Sequence, residues 1–423
     1  MKRLIGITGA VLALAAVIQG RGPAGTDQAT TVLRGGRLFT ASHGVIERGT
    51  IVVRDGRIAA IGPDADVQAP AGARVVDLAG TVVVPGFIDA FSNLGTREIE
   101  SFGREDDEVS APVVPQLRVI DGLDPGNRFI PPARAAGVTT ALSAPGEANL
   151  LSGQSAVIKL AGSTLEAMVL KSPAAVHVSL GEGPKLRWGR KSQLPSTRMG
   201  EAALLRQTLA DAQDYGRRRA AGVKGGGAGG GKAAGDPVAA DAKLEALLPV
   251  LDRTLPLLVS ADRQGDILTA LRIADEFKLR VVLSHGTEAY KVAGRLAAAR
   301  VPVILGPEGA RQRRLETIAA RADTALVLAR AGVPIAFQGG LDSSPGELLA
   351  GARAAVAHGL APEAALRALT LSAAEILGIA DRVGSLEAGK DADFVVFDAD
   401  PLARLARVEG VWIGGQDVRV DRQ

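Results

Sequence analysis

Eight short apolar runs, several with helix-patterned stretches between them, occupy the middle of this 423-residue chain, and short β signals cluster on either side. The runs are residues 83–89, 138–142, 155–160, 174–180, 255–260, 280–285, 301–305 and 333–337. Between the fifth and sixth, Ile267, Leu268, Leu271, Ile273 and Ala274 recur at helical spacing. Residues 287–299 and 311–331 fill the next two gaps in the same way. Alternation of this kind, with eight strands, is what a (β/α)8 TIM-type barrel needs, here over residues 84–383. Chemistry in such a barrel sits where the strands end, so Ser260, His285, Glu308 and Gln338 are expected to rim one mouth.

The flanks read differently. Residues 50–54 and 57–61 enclose Asp55-Gly56, a strong two-residue hairpin signature. Further strands are expected at 74–78, 81–84, 393–398 and 408–413. Neither flank is long enough to bury a sheet face alone. The economical solution is one small β-sandwich-like domain built from both ends, residues 29–83 and 384–423. Residues 222–235 are glycine-rich and of low complexity, and read as a flexible insertion. They match a phosphate-loop pattern at Gly226, Gly231 and Lys232, but Ala233 stands where a magnesium-binding hydroxyl belongs and no apolar strand leads in. Arg217, Arg218 and Arg219 beside them read as a solvated edge.

Lys2 and Arg3 precede an apolar run over residues 4–18, the form of an export signal, so residues 1–25 are set aside from the fold. Export to a periplasm or beyond is expected, with an uncleaved anchor as the alternative. There are no cysteines, hence no disulfides and no thiolate metal ligands. A net charge of +3 with 3% aromatic residues argues against nucleic acid as partner.

The segment VVVPGFIDAFSNL over residues 82–94 resembles the first barrel strand of the amidohydrolase superfamily, where a V-x-P-G-x-I-D run is followed by His-x-His. GSLEAGKDADFVVFD over 384–398 resembles the segment that returns such chains to their small β domain. The helices at 364–370 and 373–378 resemble the family's helices just before that segment, while GQSAVIK at 153–159 and SHGTEAYK at 284–291 are similar to the exported, imidazolonepropionase-related branch. The resemblance runs from about Thr31 to the end.

It implies a metal at the barrel mouth, and the ligand positions are changed. Side chains two apart on a strand share a face, which is how His-x-His reaches one ion. Phe91 and Asn93 stand at those two positions, and Phe91 has no lone pair to give. The fifth-strand histidine is matched by Ser260, while the sixth-strand histidine is kept as His285. At the eighth strand, glycines follow Gln338 and Asp342 comes late. Of four histidines, His43 and His358 fall elsewhere, leaving His285 and His177 as metal candidates. A catalytic zinc usually has three protein ligands. Lys159, Lys171 and Lys185 are candidates for the lysine that the family often carries on its fourth strand.

Plainer readings stand beside these. His285 is either a relic ligand or a simply hydrogen-bonded residue. Phe91 fills the space of a metal and its ligands, and Asp89 caps a turn rather than touching substrate. Glu308, Arg311, Arg313 and Arg314 read as a solvated helix start, and Asp262 as an N-cap rather than part of a Ser260–His285–Asp262 triad, since no nucleophile elbow is present.

The leading expectation is an amidohydrolase-family protein with a degenerate metal site and no resident cofactor, binding a small molecule or partnering an active relative. The alternative is a working hydrolase of C–N bonds in small cyclic amides or dipeptide-like compounds. In it a divalent metal such as zinc is held by His285 with carboxylates, a lysine or Asn93, and Asp342 or Glu308 is the base. Metal-free ligand binding at a mouth lined by Asp89, Phe91, Asn93, Ser260 and Gln338 is the third.

Overall fold

In the computed structural model, residues 30–97, 105–225, 238–306 and 315–418 are described. The expected export signal, Glu308, Arg311, Arg313 and Arg314 lie outside them, as does most of the glycine-rich stretch. The long helix Arg198–Gly225 takes in residues 222–225, so that part of the expected insertion is helical instead. No helix among the described residues is long and apolar enough to cross a membrane.

The chain opens with β1 (Thr31–Phe39), β2 (Val45–Arg54), β3 (Arg57–Pro63), β4 (Arg74–Asp77) and β5 (Val82–Pro85). Asp55 and Gly56 turn the β2–β3 hairpin at φ 51° and 75°, the doubly positive backbone that this residue pair tolerates. Then follow β6 (Phe87–Ser92), β7 (Val138–Ser143), β8 (Leu151–Gln154), β9 (Ala156–Lys159), β10 (Val169–Lys171), β11 (Val176–Ser179), β12 (Leu257–Ala261), β13 (Val281–His285), β14 (Val303–Leu305) and β15 (Ile335–Phe337). The chain returns through β16 (Phe394–Phe397), β17 (Val408–Ile413) and β18 (Gln416–Asp417). These last three extend one sheet in the order β18-β17-β16-β5-β1-β2-β3, so both ends of the chain share it, and β4 pairs with β1. Phe394 stacks on Trp412 within its core.

The remaining strands form the barrel wall. One sheet runs β10-β9-β7-β6, the other β15-β14-β13-β12-β11-β8. They meet through the continuous chain at Gln154–Ala156 and through a parallel bridge from Ser92 to Gly340. The third position departs from a regular (β/α)8 barrel. β8 pairs antiparallel with β11 and β9 antiparallel with β7, whereas β11 to β15 are mutually parallel. A buried strand shows the same apolar run whichever way it points, so direction was not readable from it.

One apolar cluster takes a residue from each of the eight wall positions: Ile88, Leu142, Val157, Ala175, Leu258, Val282, Ile304 and Ala336. This is the packed lumen. Their strand neighbours, such as Val176, Val259, Leu283, Val303 and Phe337, face the other way, into the larger core beneath the helices. Alternation therefore aims His177, Ser260, Ser284 and Gln338 inward. A register shift between Asp89 and Ser92 adds a residue to β6, and Phe91 joins the lumen cluster through this bulge.

Lys159 is not at the mouth. Its register partner is Thr140, toward the start of β7, and its ammonium lies 2.6 Å from Asp391 and 3.0 Å from Asp393 of the returning segment. It ties the barrel to the small sheet. Lys171 donates to the Leu377 carbonyl at 2.8 Å, and Lys185 lies on the helix Glu182–Gly189 rather than on a strand.

A barrel mouth closed by hydrogen bonds

Phe91 is fully buried at the top of the lumen. Its ring centroid is 5.7 Å from that of His177 and 5.5 Å, edge-on, from that of His285. The sixth-strand histidine ends β13 at φ 73°, a left-handed backbone that a non-glycine residue seldom takes. Alternation would send neighbours Ser284 and His285 to opposite faces. The positive φ lets both reach Gln338: Ser284 Oγ donates to Gln338 Oε1 at 3.1 Å, and Gln338 Nε2 lies 3.0 Å from His285 Nδ1.

That network fixes the imidazole. Gln338 Nε2 also donates to the Gly306 carbonyl at 2.6 Å, which can only accept, so this atom is the amide nitrogen. Nδ1 of His285 is then an acceptor, and Nε2–H donates to the Glu147 carboxylate. Both ring nitrogens are engaged. Glu147 follows β7 in a loop with no periodic pattern, and the sequence reading missed it. Its only signal was position, just past a strand end.

Asn93 is equally committed. Its Nδ2 donates to Asp106 and Asp342, at 3.0 Å each, and its Oδ1 accepts the Asp342 backbone N–H at 3.1 Å. The acidic strand-end candidate Asp342 thus comes next to the first-strand candidate, with Arg97 3.6 Å away. Residues 105–109 lie across this rim. The Gly146 N–H donates to the Asp106 carbonyl, the Ala148 N–H to the Asp107 carboxylate, and Lys191 to the Val109 carbonyl. Asp106 and its neighbours carried no sequence signal beyond charge.

Asp89 accepts the Gly339 N–H at 2.9 Å and the Phe91 N–H at 3.3 Å, stapling β6 to the end of β15. Burial pushes its carboxyl up to about 7 against the pull of those two N–H groups. Ser260 is buried among the inward residues. His177 is 3% exposed and its Nε2 has no hydrogen-bond partner. Burial pushes this ring down to about 3, opposed by the charge of Glu147, so it is neutral at ordinary pH.

Asp262 is not the N-cap expected of it. The helix Gln264–Phe277 begins after Arg263, and its first N–H is accepted by Glu288 at 2.8 Å. Asp262 instead accepts from Thr287 Oγ1 at 2.5 Å.

A barrel of this wall, with a sheet from both chain ends on one side, defines a class, and the comparisons place the chain in it. Residues 280–418 match the model of the amidohydrolase family. The crystal structure of an amidohydrolase from Thermotoga maritima MSB8 superimposes with a TM-score of 0.85 at 34% identity, covering 92% of this chain and 99% of that one. The chain belongs to the amidohydrolase family. An imidazolonepropionase of Mesorhizobium japonicum is 28% identical over 88% of this chain and 93% of its own length. Amidohydrolase tasK of Hapsidospora irregularis is 26% identical over 88% of this chain, which spans only 39% of that protein.

The family implies a metal, and the residues at this mouth do not fit one. Phe91 offers no lone pair, the amide oxygen of Asn93 is taken, and His285 has its acceptor nitrogen turned to Gln338. Among the described residues, no three His, Asp or Glu side chains are grouped to hold an ion.

Proposed function

We propose that this chain is an exported amidohydrolase-family protein that no longer runs metal-assisted hydrolysis. It serves as a binding or partner subunit, for a small molecule or an active relative. One observation carries the reading: Phe91 packs between His177 and His285, and the acceptor nitrogen of His285 is held by Gln338. Catalytic zinc needs about three protein donors and an open position. Protein purified without added ions is expected to carry far less than one metal per chain and to leave cyclic amides, imides and imidazolones intact. Stoichiometric zinc with turnover would sink the proposal.

A second reading follows from the relatives' names, amidohydrolase and imidazolonepropionase. It is a working hydrolase of C–N bonds in small cyclic amides, with a metal on His285 and carboxylates and Asp342 as base. His285→Ala separates the two. Unchanged metal content and unchanged ligand binding support the subunit reading, and loss of a bound ion together with activity supports the hydrolase.

A further inference from the structure

The mismatch with metal chemistry narrows to a single ring. Two imidazoles that share a tetrahedral ion through nitrogens about 2.0–2.1 Å from it hold their ring centroids roughly 5 Å apart. The Phe91 ring stands 5.7 Å from His177 and 5.5 Å from His285. It therefore takes, from each neighbour, nearly the separation that a metal-sharing imidazole would take.

A second, independent observation points the same way. His177 Nε2 is buried without a hydrogen-bond partner, one of nine such side-chain atoms among the described residues, whereas buried polar atoms in proteins are ordinarily satisfied. The strand holds it there: His177 pairs in register with Leu258 of β12 and Gly153 of β8, between Val176 and Val178, which face the outer core. The ring is fixed and inward-facing, and the Phe91 phenyl packs against it at 5.7 Å between ring centroids. Glu147, hydrogen-bonded to His285, is close enough to act electrostatically on His177 as well.

We infer that Phe91 is the residue that keeps a transition ion out of the lumen, and that a nitrogen or sulfur donor in place of this phenyl alone creates a site for a zinc-like divalent ion. His177 is its second ligand and Glu147 its third, since both nitrogens of His285 are already engaged. Two imidazoles with a carboxylate suit zinc and cobalt. The fourth-strand position of His177 makes the donor set this chain's own. The inference rests on the metal-free reading of the native mouth.

The test is cobalt(II) titration of the whole chain, followed by visible absorption and calorimetry. F91H is expected to bind about one cobalt per chain with four-coordinate bands, about 100-fold more tightly than the unsubstituted protein, a factor on the scale of losing one supporting residue at a metal site. H177A placed on top of F91H should remove that gain. Folded F91H that binds no more tightly, or whose binding ignores H177A, overturns the inference. If F91H does not fold, F91C poses the same question with a smaller side chain and a sulfur donor, and if neither folds, a donor cannot replace the phenyl and the inference fails. Tight stoichiometric cobalt in the unsubstituted protein overturns the metal-free reading instead, so the two failures look different.

Discussion

Phe91→Ala is expected to lower the unfolding free energy by about 3–5 kcal/mol, seen as an earlier urea midpoint at an unchanged slope. Phe91 has no exposure, and its neighbours are held from several directions. His177 is fixed by its place in β11, and His285 by Gln338 and Glu147. Ala90, Leu142 and Ala336 share its apolar cluster, and these short or strand-bound residues are poorly able to collapse into the space it leaves. Poor collapse puts the cost at the upper end for aromatic truncations. The cavity would also open beside the unpartnered His177 nitrogen, which could then hold a water, and recovery of part of the loss by that route is the reason for a range. A loss below about 1 kcal/mol would show that the phenyl is not the wedge of the mouth. Phe91→Leu, which keeps most of the apolar volume, should cost less than half as much.

How much of this was legible in the sequence depends on how local each signal is. The Asp55-Gly56 turn, the wall strands and the changed residues at 91 and 93 are set within a few positions of one another, and periodicity or a short motif carries them. His177 was a candidate only because it follows Val176, yet alternation alone aims it inward. The reversed third strand was hidden, since β8 and β9 look the same to a pattern in either direction. The cap on the helix Gln264–Phe277 was assigned to Asp262, its neighbour in sequence, but comes from Glu288 after the following strand. Glu147 and Asp106 illustrate the same limit. They act through loops that meet only once the barrel has closed, and the chain marks neither with spacing or residue type. The left-handed backbone at His285 had one faint sign, Gly286 after it.

Between pH near 4.5 and 8 the buried carboxyls Glu201 and Asp89 are expected to lower stability as pH rises, with His177, neutral in the fold, pulling the other way below its ordinary 6.5. Glu201→Gln and Asp89→Asn should each remove its own share. Glu201 is buried where the long helix meets the end of β11, accepts the Gly181 N–H at 3.1 Å, and has an unpartnered Oε1. Burial pushes its carboxyl up to about 8, and the charge of Asp266 adds to this while Arg198 opposes it. Asp89 is pushed up to about 7 by the same cause. An unfolded chain releases these protons near 4.5 and 3.8, the ordinary values for the two groups. Over the interval between, the folded form therefore holds more protons at these two sites than the unfolded form, and their contribution to stability falls with rising pH. The stabilising difference is whole below the unfolded values and gone above the folded ones. Each amide mimics the neutral acid and keeps the oxygen that accepts the backbone N–H. At pH 8 each variant should thus be more stable than the parent, by about 2 kcal/mol once relaxation around the charge is allowed for, and close to it near pH 4. Taking the difference between parent and variant cancels the other titrating groups, including Glu316 and Asp393, whose carboxyls burial also raises. Parallel pH profiles for parent and Glu201→Gln would mean that Arg198 already holds Glu201 ionised, and that the charge cluster it forms with Asp266 and Glu316 is complete rather than one proton short.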